Sequence, residues 1–319
     1  MKRRTVPPSV LVLAERQIGL ITRDQCLERG MTERGIRTAL DRGGWRQVVR
    51  GVLDTGRTPP GHPMDLRRRR SAWLGGLAMG PDAVIVASCA VALHGIHGLP
   101  QIIQPSAWLP SGESRPGPPG ITVRRWRDPF PARKLEERRI ADVPNALAQA
   151  VLELDRIHAI AVLDSAIHLR RISAPGLRHV RDLVSGRPGS RRSRDWWALV
   201  DGRSESPVET WARLSCHDAG IPPTALQVTI RNTSGELVAR ADLGWRLPDG
   251  QWILVEIDGK EAHDNPKALY HDRKRQNDLV ADARITVLRF TSRDVWEGLV
   301  PKEVGPLLTG VKLTSVIGA

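Results

Sequence analysis

Three acids near the end of the chain, Asp242, Glu256 and Asp258, sit where two neighbouring strands can gather them. The runs LVARADLGWRL and QWILVEIDG have the β-branched and aromatic content of strands, and Pro248-Asp249-Gly250 between them is a strong turn signal. If a three-residue loop closes a regular hairpin centred on Asp249, residues paired across it have numbers that sum to 498. Asp242 then faces Glu256, and Arg240 faces Asp258. Directly opposed Cβ atoms are about 5 Å apart, and like charges at that spacing repel. Because strand side chains alternate, Asp242, Glu256 and Asp258 share one face while Val255 and Ile257 turn into the core. Such a patch is stable if a divalent cation sits among the oxygens, if one carboxyl keeps a proton, or if basic side chains such as Arg240 and Lys260 answer it. The first option is the one with chemistry. Mg²⁺ or Mn²⁺ held by one or two carboxylates suits hydrolysis of a phosphodiester, where the ion helps form the nucleophile and steadies the leaving oxygen.

Around this hairpin the sequence predicts further elements. ESPVETWARLSCHDAG reads as an amphipathic helix with Val208, Trp211, Leu214 and Ser215 on one face, ended by Gly220. His217 is expected to be exposed on it, and Trp211, Trp245 and Trp252 to pack in a core.

Charge separates the ends of the molecule. The chain has 319 residues and a formal charge of +13. Residues 1–70 carry a net +9, residues 71–200 a net +6, and residues 201–319 a net −2. A cationic front suits a polyanion such as DNA. The acidic back calls for a separate explanation, and the hairpin acids supply one. With 40% hydrophobic residues the chain can fill two or three cores, which excludes disorder and a small disulfide scaffold. Cys26, Cys89 and Cys216 are odd in number and far apart, so neither a zinc site nor a disulfide framework is expected. The cytoplasm is the expected location. The longest apolar stretch, Ala83 to Leu93, is well short of the roughly 18 residues that span a bilayer, so no membrane association is expected.

In the front region, Thr22 opens a helix with Gln25 at capping-box spacing, and Gly30 stops it. Thr32 begins another helix, with Ile36, Ala39 and Leu40 on one face and Arg34, Arg37, Thr38 and Asp41 on another. WRQVVRGVL then reads as a small hairpin carrying Arg46 and Arg50, with Trp45 at its base. Helix, helix, recognition helix and wing is the order of a winged helix. Arg67 to Arg70 read as a solvated helix face.

The run GLITRDQCLERGMTERGIRTALDRGGWRQVVRGVL resembles the N-terminal domain of AbiEi-type antitoxins, the regulator half of an abortive-infection toxin–antitoxin family. That resemblance implies DNA binding, with Arg34, Arg37 and Thr38 in the major groove and Arg46 and Arg50 on phosphates. Two Gly- and Pro-rich stretches, 110–120 and 186–194, flank a middle region. Strand-like pieces at 84–87 and 121–126 and an Ala- and Leu-rich helical stretch from Asp142 to Leu183 give it a mixed character. His94 and His97, near glycines and without a nearby carboxylate, read as turn or core histidines.

In the back region SPVETWARL, ARADLGW, VEIDGKEAH, HDRKRQNDL and ITVLRFT follow one another in the order of the restriction-endonuclease-like PD-(D/E)XK superfamily. The resemblance is closest to members similar to very-short-patch-repair endonucleases. It implies that Asp242 and Glu256 are paired metal ligands and that Glu209 completes the site through water. It further implies that His263 is a general base or acid and that Arg273 and Arg275 hold the scissile phosphate. The usual third position is Lys, and here it is Asp258, with Lys260 two residues on as the candidate replacement.

The expected molecule is a mixed α/β, multidomain protein. A winged helix occupies 1–60, a mixed α/β region 61–195, and a restriction-endonuclease-like α/β/α domain 196–319. Its expected partner is DNA, with a homodimer or a toxin or defence protein as further partners, and its setting is phage defence or DNA repair. The other reading is an antitoxin-type transcriptional regulator whose nuclease fold has weak or no turnover.

Overall fold

In a computed structural model, residues 6–110, 116–126, 129–231, 237–258 and 285–309 are described. They form two compact units, one of residues 1–155 with 171–194, the other of residues 156–170 with 195–319. The architecture is mixed α/β, with three multi-stranded sheets.

The first unit begins with α1 (Pro8–Arg16), β1 (Leu20–Thr22), α2 (Arg23–Glu28), α3 (Glu33–Arg42), β2 (Arg46–Val49) and β3 (Val52–Asp54). Thr22 and Gln25 form the expected capping box, and Thr32 caps α3 through the Gly35 N–H. Gly30 adopts φ +84° after α2, a conformation that disfavours a side chain. The strands pair antiparallel in the order β1-β3-β2. β1 was not foreseen, because three residues carry no readable period. Ile36 and Ala39 of α3 pack with Val10, Leu13, Ile21, Cys26, Trp45 and Leu53, so one face of α3 is fixed inward and the opposite face is left to solvent.

The unit continues with α4 (Pro63–Ala78), β4 (Val84–Ile85), α5 (Ala87–Leu93), β5 (Ser106–Trp108), β6 (Thr122–Arg124), β7 (Ala132–Leu135), β8 (Arg138–Ala141) and α6 (Val143–Glu153). The five strands run β6-β5-β4-β8-β7. α4 lies close on this sheet: a Cβ added at Gly75 would fall 2.6 Å from the backbone N and O of Ser106. β5 and β6, which precede and follow the stretch 110–120, pair in this sheet, so that stretch does not mark a boundary between units. Only part of the basic run is solvated. Arg67 and Arg69 are exposed, whereas Arg68 donates to the Leu99 and Pro100 carbonyls and Arg70 donates to Ile18 O and pairs with Asp54 at 2.9 Å. Backbone carbonyls and an acid within reach outcompete water for these two guanidinium groups.

The Ala- and Leu-rich stretch is three helices: α6, α7 (Arg156–His168) and α8 (Ala174–Val184). α6 and α8 pack together in the first unit, while α7 belongs to the second. That unit adds α9 (Pro207–Asp218), β9 (Ala225–Arg231), β10 (Leu237–Arg246), β11 (Trp252–Asp258), β12 (Ile285–Thr291), α10 (Ser292–Trp296) and α11 (Leu299–Leu308). Its sheet runs β12-β11-β10-β9, antiparallel except for the parallel pair β11 and β12.

The face of α9 differs from the expected single stripe. Ala212 and Cys216 join the sheet core, and Thr210 and Arg213 are buried as well. The reason is that α7 packs on α9 and presents Asp164 to those two polar side chains. Trp245 is buried in the core as expected, Trp211 packs at its margin, and His217 is exposed.

Candidate functional site

The hairpin closes as its turn chemistry requires. Gly250 takes φ +87°, the Asp249 carboxylate accepts from Gln251 N at 3.0 Å, and Gly250 N donates to Leu247 O at 3.0 Å. Leu243 pairs with Val255, Trp245 with Ile253 and Arg246 with Trp252, so the numbers sum to 498 as expected. The same numbering, carried one step beyond the paired residues, puts Asp242 opposite Glu256, whose charge acts on it.

Asp242 is half-buried, and its Oδ2 accepts from the Ile257 N–H at 2.7 Å. Burial pushes its pKa up; the Ile257 bond opposes this, and the Glu256 carboxylate pushes it up further. Glu209 lies in the first turn of α9, capped by Ser206, and is 7% exposed. Its Oε2 accepts from Glu205 N at 2.8 Å and from Gln227 Nε2 at 2.9 Å. Burial first, and then the charge of Asp242, raise it to about 7. Glu256 accepts from Arg289 Nε at 3.1 Å, its register partner on β12. The three acids that influence one another are therefore Glu209, Asp242 and Glu256. Asp258, on the same face of β11, sits at its exposed end opposite Thr291. Arg240 does not face the acids of β11 as a partner; it pairs with Glu205.

Two residues of this cluster were missed. Gln227 lies opposite Asp242 in the β9–β10 register, between the Ala241–Val228 and Leu243–Leu226 pairs, and its φ of +55° interrupts the ladder. A non-glycine residue held there marks local strain, and strain of this kind gathers at functional sites. Arg289 could have been suspected, because a cation in the middle of the apolar strand ITVLRFT needs an anion nearby.

These donors suit a hard divalent cation: they are carboxylate oxygens, desolvated and mutually repelling, and Mg²⁺ asks for only one or two of them with water completing its shell. Among the described residues no group of three or more His, Cys, Asp or Glu is gathered tightly enough to hold a metal ion. Asp242 and Glu256 would be the direct ligands, with Glu209 acting through water. Lys260, His263, Arg273 and Arg275 lie outside the described residues.

The raised Glu209 carboxyl has a measurable consequence. Between its ordinary 4.5 and its folded value of about 7, the folded chain binds a proton that the unfolded chain has released. Its favourable contribution is complete below about 4.5 and is lost as pH rises to about 7. Asp164 and Glu153 shift in the same direction, so the contribution is isolated by comparison. Glu209→Gln should match wild type in urea melts near pH 4.5 and exceed it near pH 8 by on the order of 2 kcal/mol. Equal pH slopes for the two proteins would refute it.

In the first unit the five expected DNA-contacting residues, Arg34, Arg37, Thr38, Arg46 and Arg50, are all exposed. Arg34, Arg37, Arg46 and Arg50 have no acidic partner among the described residues. Thr38 spends its hydroxyl proton on the Arg34 carbonyl at 2.8 Å. The acids nearest the helix start are occupied elsewhere: Glu33 pairs with Arg23. His94 is a core residue, as expected. Its Nε2 lies 2.8 Å from Ala141 O and its Nδ1 2.9 Å from the Arg133 guanidinium, an arrangement that suits the neutral ring. Burial lowers its pKa accordingly. All three cysteines are buried and free, with burial pushing Cys26 and Cys216 up to about 12, so they are poor nucleophiles.

Among known proteins the chain is similar to two uncharacterized proteins of Mycobacterium tuberculosis, from strains CDC 1551 and H37Rv. Each is 33% identical over 138 residues, which is 43% of this chain and 49% of the relative. The chain thus spans about half the length of the curated relatives it matches. No family model and no solved structure matches it. Among the described residues no helix is long and apolar enough to cross a membrane.

Proposed function

We propose that the protein is a divalent-metal-dependent DNA endonuclease. Its first unit binds duplex DNA through a winged helix built on α3 and the β2–β3 hairpin, and its second unit hydrolyses phosphodiesters on a restriction-endonuclease-like core. The observation that carries this reading is that the charge of Asp242 reaches Glu209 at a helix start and that of Glu256 reaches Asp242 across two paired strands, with Glu209 and Asp242 held above their ordinary pKa. The order helix, antiparallel β9-β10-β11, then β12 beside β11 supports the same fold. A bound cation would supply charge neutralisation at the attacked phosphate and an acidified water. Asp242 and Glu256 orient that cation, Ile257 N–H fixes the Asp242 carboxylate, and Gln227 fixes Glu209. Covalent attachment of the two units keeps the local DNA concentration high around the second. Phage defence or DNA repair is the setting.

A second reading is an antitoxin-type transcriptional regulator without turnover. The Arg289–Glu256 ion pair favours it, since a guanidinium already holds one oxygen of a ligand carboxylate. Supercoiled plasmid decides between them. The endonuclease converts it to open circle with Mg²⁺ or Mn²⁺ and not with chelator. The regulator binds and leaves it supercoiled under every metal.

The binding module has its own expected result. Arg37→Ala, which would remove a major-groove contact, should weaken specific duplex binding about tenfold and relax its sequence preference, whereas Arg50→Ala should weaken binding to every sequence and lower the slope of log affinity against log salt by about one. Unchanged affinity and slope in an Arg34→Ala, Arg37→Ala double variant, read by fluorescence anisotropy, would remove α3 from the interface.

A further inference from the structure

The first unit contains an open cleft of about 1330 Å³ between the β5–β6 edge of the five-stranded sheet and helices α6 and α8. None of its lining belongs to the acidic cluster, which lies in the other unit. Its walls combine flat apolar surface with cations. Trp108 lines the cleft and is backed by Phe130, tilted 42° to it with ring centroids 4.7 Å apart, and Arg187 lies 3.8 Å over the Trp126 ring. Arg125 is exposed and has no acidic partner among the described residues.

The interior of the cleft holds polar groups that the fold leaves incomplete. Gln149 is 5% exposed; its Oε1 accepts from Ala87 N at 3.0 Å, and its Nε2 has no acceptor. A buried donor of this kind is costly unless something supplies the acceptor. Ala87, which also lines the cleft, is held by that bond at φ +51°, a conformation rare for alanine. One α-helical turn beyond Gln149, Glu153 pairs with Arg124 at 2.9 Å, and the Arg124 Nε is again without a partner. Burial raises the Glu153 carboxyl to about 7, against the pull of Arg124 and Arg192, so near neutrality it can accept or donate a hydrogen bond.

We propose that this cleft is a nucleotide-binding site, in which a base lies against Trp108 and Trp126, a carbonyl on its edge accepts from Gln149 Nε2, and Arg124 and Arg125 receive the phosphate. Aromatic faces with flanking arginines are the general solution for holding a planar base attached to an anion. The volume exceeds what one small ligand requires, which suits an open groove over a closed pocket. The same chemistry is offered by a free nucleotide and by one nucleotide unit of a single strand.

Calorimetry on the full chain with AMP, GMP, CMP and UMP, and separately with an oligothymidylate of about ten nucleotides, separates the sources. The proposal expects a dissociation constant between about 1 μM and 1 mM for at least one of these probes. Mononucleotide binding identifies the free ligand as sufficient; binding of the oligomer alone identifies a strand unit. In either case Gln149→Leu, which removes the donor at similar volume, and Arg125→Ser, which lies on the surface and leaves the core intact, should each weaken binding about tenfold. Lys302→Ser, which removes an exposed cation of the other unit outside any proposed site, should bind as wild type does. The proposal is overturned if no probe binds below about 10 mM. It is equally overturned if inorganic phosphate binds as well as the nucleotides, or if Arg125→Ser binds the probe as tightly as wild type.

Discussion

Asp242→Asn is expected to lower plasmid nicking by about 10³-fold or more, equivalent to roughly 4 kcal/mol of transition-state stabilisation, while duplex binding stays within about twofold. The amide keeps the shape of the side chain and an oxygen that can still accept from the Ile257 N–H, so the hairpin should not change. What it loses is the charge that would hold a cation between β10 and β11. The same loss relieves the repulsion that Asp242 exerts on Glu209 and that Glu256 exerts on Asp242. Stability should therefore hold or rise above about pH 7, where Glu209 would otherwise ionise against the charge of Asp242. Activity and stability moving in opposite directions is the signature of a functional carboxylate and not a structural one. A variant that keeps more than a tenth of wild-type nicking, or that unfolds at lower urea than wild type, would count against the assignment.

Glu256→Gln makes an instructive contrast, because this side chain also answers Arg289. Removing its charge takes away the carboxylate that Arg289 answers on the exposed side of β12. Loss of nicking accompanied by a modest loss of stability is thus expected there, whereas Asp242 should lose activity alone. The difference follows from which neighbour each acid faces: another acid for Asp242, a base for Glu256.

The parts of this site that could be read from sequence are those fixed by local rules. The register followed from a turn tripeptide and strict alternation, since a one-residue slip would have turned Val255 and Ile253 out of the core. The Thr22–Gln25 box and the inward face of α3 were legible for the same reason: each depends on residues three or four apart. The unread parts depend on contacts distant in sequence. Gln227 is an uncharged residue in an ordinary strand, and its role arises because the β9–β10 register and the start of α9 converge on it. The membership of α7 in the second unit was likewise invisible, because its Ala- and Leu-rich pattern resembles that of α6 and α8, and only the position of Asp164 relative to Thr210 and Arg213 distinguishes it.

That buried contact makes Asp164→Ala the most destabilising substitution expected in the second unit. Asp164 is 1% exposed and satisfies three donors: Asp201 N at 2.7 Å, Thr210 Oγ1 at 2.8 Å and Arg213 Nη2 at 2.7 Å. Burial holds its carboxyl up at about 6 even though all three partners favour the ionised form, so desolvation takes back much of what the ion pair provides. The pair as a whole is accordingly worth little, yet breaking it is costly. Alanine would strand the Arg213 guanidinium, itself 8% exposed with its Nε already unpaired, and leave it only the charge of Asp201, which already pairs with Arg203. A loss of about 3–5 kcal/mol is expected, a fall of roughly 10 °C or more in melting temperature. Hydrogen exchange on α7 and α9 localises the effect to the second unit, whose unfolding need not coincide with that of the first. Asp164→Leu combined with Arg213→Met should recover most of the loss, because it removes both charges and fills the space with apolar atoms. If the double variant is no better than Asp164→Ala, the hydrogen bonds to Thr210 and Asp201, and not the charge pair, are what hold α7 against α9.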